Sequence, residues 1–215
     1  MLVLATEDRS TNLSPQLVVR CPDGHLEGAP QFAELLPQEE NMEITRLNSS
    51  ESVLFQSAMQ LYRLSFPYHE QREDASQRRL LRTDEYHFNL IYDEGLFVGL
   101  ILCWEPDQFT YVEHFCILPA MRSKGYGKRA LDFLISLGKP VILEIDPPYD
   151  SISMRRKEFY KRSGFHENSF EHLHPPYHKG YAGHKLIVMS APEGLPLKAY
   201  QTFKRYLDET VMSDL

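Results

Sequence analysis

The feature that most restricts this chain is a change of pattern near its middle. A run of β-branched and aromatic residues, "FTYVEHFCILP" (109–119), passes through "AMRSKGYG" (120–127) into "KRALDFLISL" (128–137), where apolar residues recur with helical period. A strand that breaks on a glycine turn and restarts as a helix gathers unpaired backbone N–H groups at the positive end of the helix dipole. Such a turn suits an anion. It also restricts topology, because the helix must return across the sheet, so that the next apolar run, "PVILEID" (140–146), lies parallel to the first.

The flanking segments predict the rest of the domain. "MEITRL" (42–47) reads as a first strand. "NSSE" (48–51) has capping-box spacing, and Val53, Leu54, Ala58, Leu61 and Leu64 follow with helical period until Phe66-Pro67 stops them. A polar helix is expected over 73–82. "YHFNLIYDEGLFVGLILCW" (86–104) is two strands about an Asp-Glu-Gly turn, and "PDQ" (106–108) turns into the strand before the glycines, so three antiparallel neighbours are expected. "SISMRRKEFYKRSGF" (151–165) reads as a helix stopped by Gly164, "FEHLHP" (170–175) and "HKLIVMS" (184–190) as two strands, and "LKAYQTFKRYLDETV" (197–211) as a closing amphipathic helix. The order β-α-α-β-β-β-α-β-α-β-β-α predicts an α+β domain on a mixed sheet, antiparallel first and parallel across the glycine-turn helix. Residues 1–41 differ. Pro15, Pro22, Pro30 and Pro37 recur there with Gly24 and Gly28, and no apolar period is sustained. The folded unit is expected over 42–215, with 1–41 a disordered or weakly structured extension.

Composition excludes several functions. The net charge of −7 supplies no global basic field, so nucleic acid is not expected as a partner and anion binding has to be local. No run approaches a membrane span, and the first residues, "MLVLATEDR", are too short an apolar stretch for a signal sequence, which makes a cytoplasmic protein the expectation. Cys21, Cys103 and Cys116 are too few and too scattered for a disulfide framework or a zinc site. His172 and His174 could share one strand face, but no ligand spacing accompanies them, and no metal is expected.

Three readings of the glycine turn compete. "GYGKRA" (125–130) fits the G-x-G-x-x-A dinucleotide fingerprint, with Glu144 about twenty residues on. That fingerprint normally opens a doubly wound domain, whereas three antiparallel strands precede it here. A plain tight turn is the second reading, with glycine for positive φ. The third starts from "Arg122-Ser-Lys-Gly125-Tyr-Gly127", which fits R/Q-x-x-G-x-G/A after a strand and Pro119, and from "Phe159-Tyr160-Lys-Arg-Ser-Gly164-Phe165", an aromatic pair on a helix ending in Gly-Phe. Together the two motifs resemble the GNAT superfamily of N-acetyltransferases from Met42 to about residue 190.

The resemblance implies a three-layer fold with a mostly antiparallel central sheet between helices, and an acetyl transfer from acetyl-CoA to a primary amine without a metal. It implies that Arg122, Ser123, Lys124, Gly125, Tyr126, Gly127 and Lys128 hold the coenzyme A pyrophosphate, and that the pantetheine arm pairs with the backbone of Phe115, Cys116 and Ile117. Tyr160 would protonate the departing thiolate. The base would be Glu113 or, second, Glu144, since a carboxylate inside an apolar strand is costly without a purpose. By strand alternation Glu113, Phe115 and Ile117 are expected on one face, and His114 and Cys116 on the other. The chain departs from the family pattern at Ser153 and Arg156, where Asn and Ala are usual; Ser153 would still bond the cofactor. "HPPY" (174–177) and "FPYHEQRE" (66–73) are expected to line the acceptor entrance, with Phe66 and Tyr177 as substrate contacts. The acceptor would be a small-molecule or peptide amine, and the protein a monomer or homodimer. A non-catalytic acyl-CoA-binding module is the alternative.

Overall fold

The computed structural model describes residues 42–213, so the expectations for 1–41 lie outside the described residues. The order of elements is β1 (Met42–Arg46), α1 (Val53–Ser65), a 3-10 turn (Tyr68–Glu70), α2 (Asp74–Leu80), β2 (Tyr86–Asp93), β3 (Leu96–Trp104), β4 (Thr110–Ile117), α3 (Tyr126–Ser136), β5 (Val141–Ile145), α4 (Ser151–Arg162), β6 (His166–Glu167), β7 (Leu173–His174), β8 (His184–Lys185), β9 (Ile187–Ala191) and α5 (Leu197–Tyr206). A π-helical turn, Leu207–Val211, continues α5. The main sheet has seven strands in the order β1-β2-β3-β4-β5-β9-β6, all antiparallel except the β4–β5 pair. This is the mixed, mostly antiparallel sheet expected.

Helices cover both faces. On one, Phe55, Ala58, Met59 and Tyr62 of α1 pack with Leu102, Trp104, Tyr111 and Cys116 of the sheet, and Phe203, Leu207 and Val211 close the layer from the C-terminal helix. On the other, Ala130, Leu131 and Leu134 of α3 and Tyr160 of α4 pack on Ile101, Val112, Phe115 and Ile117. The sheet is therefore buried on both sides, which is why β4 has no exposed residue and reads as a nearly continuous apolar run.

One irregularity in β4 shapes everything near it. Val112 pairs with Cys103 and His114 with Leu102, so Glu113 is an extra, bulged residue. Parallel pairing to β5 also stops at Val112, opposite Leu143, while β4 runs on to Ile117 and β5 to Ile145. The strands part beyond this point, as a bulge that locally increases twist would promote. The bulge also corrects the expected alternation. Glu113 does not share a face with Phe115 and Ile117; it lies on the α1 side with His114, because one extra residue resets the period of two.

Smaller differences have local causes. The cap of α1 is Ser52, whose hydroxyl accepts from the Leu54 N–H at 3.2 Å, and Val53 and Leu64 face solvent. The two strands expected over 170–190 are short pieces, because the chain leaves the main sheet after β6, forms the two-stranded β7–β8 ribbon, and returns as β9. The excursion docks on the 3-10 turn. The His178 ring stacks on Tyr68 at 4.2 Å, and the His184 ring on His69 at 5.2 Å.

Candidate active site

The parted strands, the start of α3 and the buried face of α4 converge. Leu118 N–H donates to the Val98 carbonyl across β3–β4. Strand alternation then turns the main-chain groups of Phe115 and Ile117 toward the gap beside β5 and leaves those of Cys116 on the β3 side. All three residues are buried.

The glycine turn leads to this gap. Gly125 is the N-cap of α3 at φ +86°, with open space where a Cβ would stand, and no side chain caps the helix. Helix geometry leaves the first N–H groups of α3 unpaired. Gly127 also has a packing role: a Cβ there would lie 3.2 Å from the Phe159 ring and 3.7 Å from Phe115, so the glycine admits α4. Ser123 also takes positive φ, 61°. The cations are not all aimed at the turn. Arg122 folds back and donates from Nε to the Ile117 carbonyl at 3.1 Å, and Lys128 pairs with Asp132 at 2.5 Å; Lys124 is exposed. Tyr126 lies beside Arg129, whose guanidinium is 5.7 Å from the ring.

On α4, Tyr160 is fully buried, and its hydroxyl has no hydrogen-bond partner among the described residues. Burial pushes its pKa well above that of a free phenol, so it keeps its proton; Arg156 and Cys116 lie within electrostatic reach. Ser153 is committed elsewhere. With Asp150 it forms the capping box of α4, accepting from the Asp150 N–H at 3.0 Å and donating to that residue's oxygens. Arg156, also buried, bonds through Nη1 to Asp146 at 2.5 Å, and its Nε is unpartnered among the described residues.

The oxygens of the two strand glutamates are engaged on the α1 face. Glu113 accepts from Arg72 Nε and Trp104 Nε1, both at 2.8 Å, and from the Tyr177 hydroxyl at 3.0 Å. Burial alone would raise its pKa, but the Arg72 charge overrides this and holds it at about 2. Glu144 accepts from the Tyr111 hydroxyl at 2.5 Å and contacts His172 Nε2, with His174 Nε2 3.7 Å away; it too is held at about 2 against the effect of burial. Phe66 and Tyr177 are correspondingly buried around His114, whose ring centroid is 4.8 Å and 5.7 Å from theirs. They are walls of the core, not an open entrance. The rim is the exposed Tyr68, Glu73 and Tyr181 with the half-buried His178, whose Nδ1 is 3.2 Å from the Glu73 carboxylate.

The reading of the sequence missed Glu70 in the 3-10 turn. It is 5% exposed, its Oε2 has no partner among the described residues, and burial raises its pKa to about 7. Nothing in its flanks, "YHEQRE", separates it from the other polar residues of a turn. Nor did the sequence reveal that Arg72, His114 and His172 organise the buried carboxylates. Among the described residues, no group of three or more His, Cys, Asp or Glu could hold a metal, and no helix is long and apolar enough to cross a membrane.

Comparison with known proteins places this geometry. The model of the acetyltransferase (GNAT) family matches residues 55–165, just over half of the chain. A curated protein of Bacillus subtilis (strain 168), described as "Putative acetyltransferase YjbC", is 31% identical over 104 residues, which are 46% of this chain and 52% of that protein; the chain thus spans about half the length of this curated relative. A solved structure described as "Putative acetyltransferase from GNAT family", from Bacteroides thetaiotaomicron, is 32% identical, with a TM-score of 0.74 over 79% of this chain and 98% of its own. At 17% identity and a TM-score of 0.50, Arabidopsis thaliana Naa50, solved with the bisubstrate analogue CoA-Ac-MVNAL, shares the fold over 69% of this chain and 97% of its own.

Proposed function

Because the chain belongs to the acetyltransferase (GNAT) family, we propose that it transfers an acetyl group from acetyl-CoA to a primary amine by direct attack in a ternary complex. The observation that carries this reading is the parting of β4 from β5 beside the unpartnered, fully buried hydroxyl of Tyr160. A buried polar group without a partner costs roughly 1–3 kcal/mol, which favours a role met only when substrate is bound. Acetyl-CoA supplies an activated acyl thioester.

The residues fit that ligand. The open N–H groups of α3 beyond Gly125, at a surface turn with Lys124 beside them, suit a pyrophosphate-sized anion. The inward main-chain groups of Phe115 and Ile117 suit the amides of a pantetheine arm, as in strand addition. One of their N–H groups would stabilise the carbonyl oxygen during attack. Tyr160, protonated at neutral pH, holds the proton for the departing sulfur. Glu113 and Glu144, held near a pKa of 2, are assigned to the walls around the acceptor rather than to proton removal, because a carboxylate so acidic is a poor base at neutral pH. The acidic and aromatic rim of Tyr68, Glu73, His178 and Tyr181 suits a small or peptide amine that arrives as a cation.

Gly125→Val tests the reading. The open space at its Cβ leaves packing untouched, but a β-branched residue at φ +86° is strained and the turn must change. Calorimetry should show acetyl-CoA affinity falling at least about tenfold, the equivalent of ~1.4 kcal/mol. Gly127→Val should instead lower the melting temperature by driving into Phe159. Parent-like affinity in Gly125→Val removes the phosphate role of the turn. Tight binding without turnover of any amine in a broad panel makes the protein a binding module.

A further inference from the structure

Among the buried polar atoms that lack partners in the described residues are Tyr160 Oη, Arg156 Nε and Glu70 Oε2. The first belongs to the reading above. The other two lie on separate elements, α4 and the 3-10 turn, yet Arg156 and its partner Asp146 are close enough to act electrostatically on the Glu70 carboxylate. Arg156 also acts on Tyr160. Glu70, Arg156 and Tyr160 are thus parts of one cluster.

Resting on the acetyltransferase reading, we propose that Glu70 is the base that removes the proton from the acceptor's ammonium group. The oxygens of the carboxylates named first for that task are all engaged, whereas Glu70 keeps one buried oxygen without a partner among the described residues. Its other oxygen is 3.4 Å from His69 Nε2. The backbone carbonyl of Glu70 lies 2.9 Å from His114 Nε2 on β4, and this contact fixes the turn over the sheet. The groups facing the carboxylate are few. His69 shares its turn, with His184 of β8 stacked on it and kept neutral by burial and by the neighbouring His69. His114 is held neutral by burial, at about 3. Asp146, after β5, opposes ionisation of Glu70 and Arg156 favours it. Burial outweighs them, and the group titrates near neutrality, where a base is both available and effective.

The step balances without a further reagent. Glu70 Oε2 takes one proton from the ammonium. The freed nitrogen lone pair attacks the thioester carbon, the C–N bond forms and the C–S bond breaks. The thiolate takes the Tyr160 proton, and the acylated nitrogen returns one to the phenolate. The net proton resides on Glu70 and leaves to solvent.

The test compares wild type with Glu70→Gln, a substitution of equal size, using an amine that the wild type accepts and its fluorinated, weakly basic analogue. For wild type, kcat/KM should rise with pH through a midpoint near 7. In Glu70→Gln the value at neutral pH should fall about 100-fold, and the rising limb should move up to follow the amine's own ionisation. The fluorinated amine, neutral at pH 7, should recover most of the loss. Acetyl-CoA affinity and melting temperature should stay at the parent values. Carbon-13 NMR of glutamate-labelled protein should show one carboxyl titrating near 7 that is absent from the variant. A variant that keeps both rate and limb, an equal loss with both amines, or a Glu70 carboxyl that titrates in the ordinary range near 4.3 overturns the proposal. Wild type that binds acetyl-CoA but acetylates no amine defeats the underlying reading instead, and this proposal with it.

Discussion

Two buried glutamates near β4, Glu113 on the strand and Glu70 on the 3-10 turn, are bonded to different degrees. On the α1 face, Glu113 is held by Arg72, Trp104 and Tyr177, and Arg72 is tied in turn through Nη2 to the Val211 carbonyl at the end of the C-terminal helix. Tyr160 and Arg156 of α4 and Glu70 of the 3-10 turn each keep one polar atom without a partner among the described residues. In the first arrangement, both oxygens of the Glu113 carboxylate are bonded without any ligand, although Arg72 Nη1 and His114 Nδ1 beside it lack partners among the described residues. The second is costly until something else arrives. Residue type alone does not distinguish the carboxylates; what separates Glu113 from Glu70 is whether the described residues bond every oxygen.

Acid should act most severely on the carboxylates whose oxygens are all engaged. Glu113 and Glu144 have folded pKa values near 2, below the ordinary 4.5, so the unfolded chain binds more protons between those limits and their stabilisation is lost as pH falls through that window. The loss is on the order of 3 kcal/mol for each. His114, lowered to about 3, adds to it from about pH 6.5 downward, because only the unfolded state then takes its proton. Glu70, raised to about 7, has the opposite sign: it favours the fold below neutrality and withdraws that support as pH rises through 7. Urea midpoints measured from neutral pH downward should therefore fall steeply below pH 5. A flat profile would show that the network does not hold its carboxylates ionised.

Next in size is Arg72→Met, which keeps the volume but strands the Glu113 charge. It should remove about 3–5 kcal/mol in urea unfolding, and adding Glu113→Gln should return much of it. A loss below about 1 kcal/mol would make Arg72 dispensable to the fold.

The smallest effect on stability belongs to Tyr160→Phe. Its hydroxyl has no partner to lose among the described residues, so unfolding should change by less than about 0.5 kcal/mol. In contrast, kcat should drop about 100-fold with acetyl-CoA affinity unchanged. An unchanged kcat, where chemistry limits the rate, would reassign Tyr160 to packing beside Phe165.

Much of the fold was legible because local chemistry sets it. The apolar runs of β2 to β5, the Asp-Glu-Gly turn and the glycine before α3 each act within a few residues, and the parallel β4–β5 pair follows from the helix between them. Gly125 was legible for the same reason, since its positive φ is a property of one turn. Gly127 was only half legible, because its neighbour Phe159 lies on another helix.

The amino-acid sequence by itself determined the order and type of most elements, the glycine turn, and the place of Tyr160 on its helix, all of which depend on patterns shorter than one element. Tertiary structure decided what those residues can do. The bulge at Glu113 moved that side chain to the other face, a consequence of pairing with β3 that no period within β4 reveals. Arg72, from the segment after α1, and Val211, from the end of the chain, closed around it and fixed its charge. Glu70 acquired its environment from residues 146 and 156, far along the chain. A carboxylate's basicity is set by its burial and by the charges around it, and those are properties of the assembled fold.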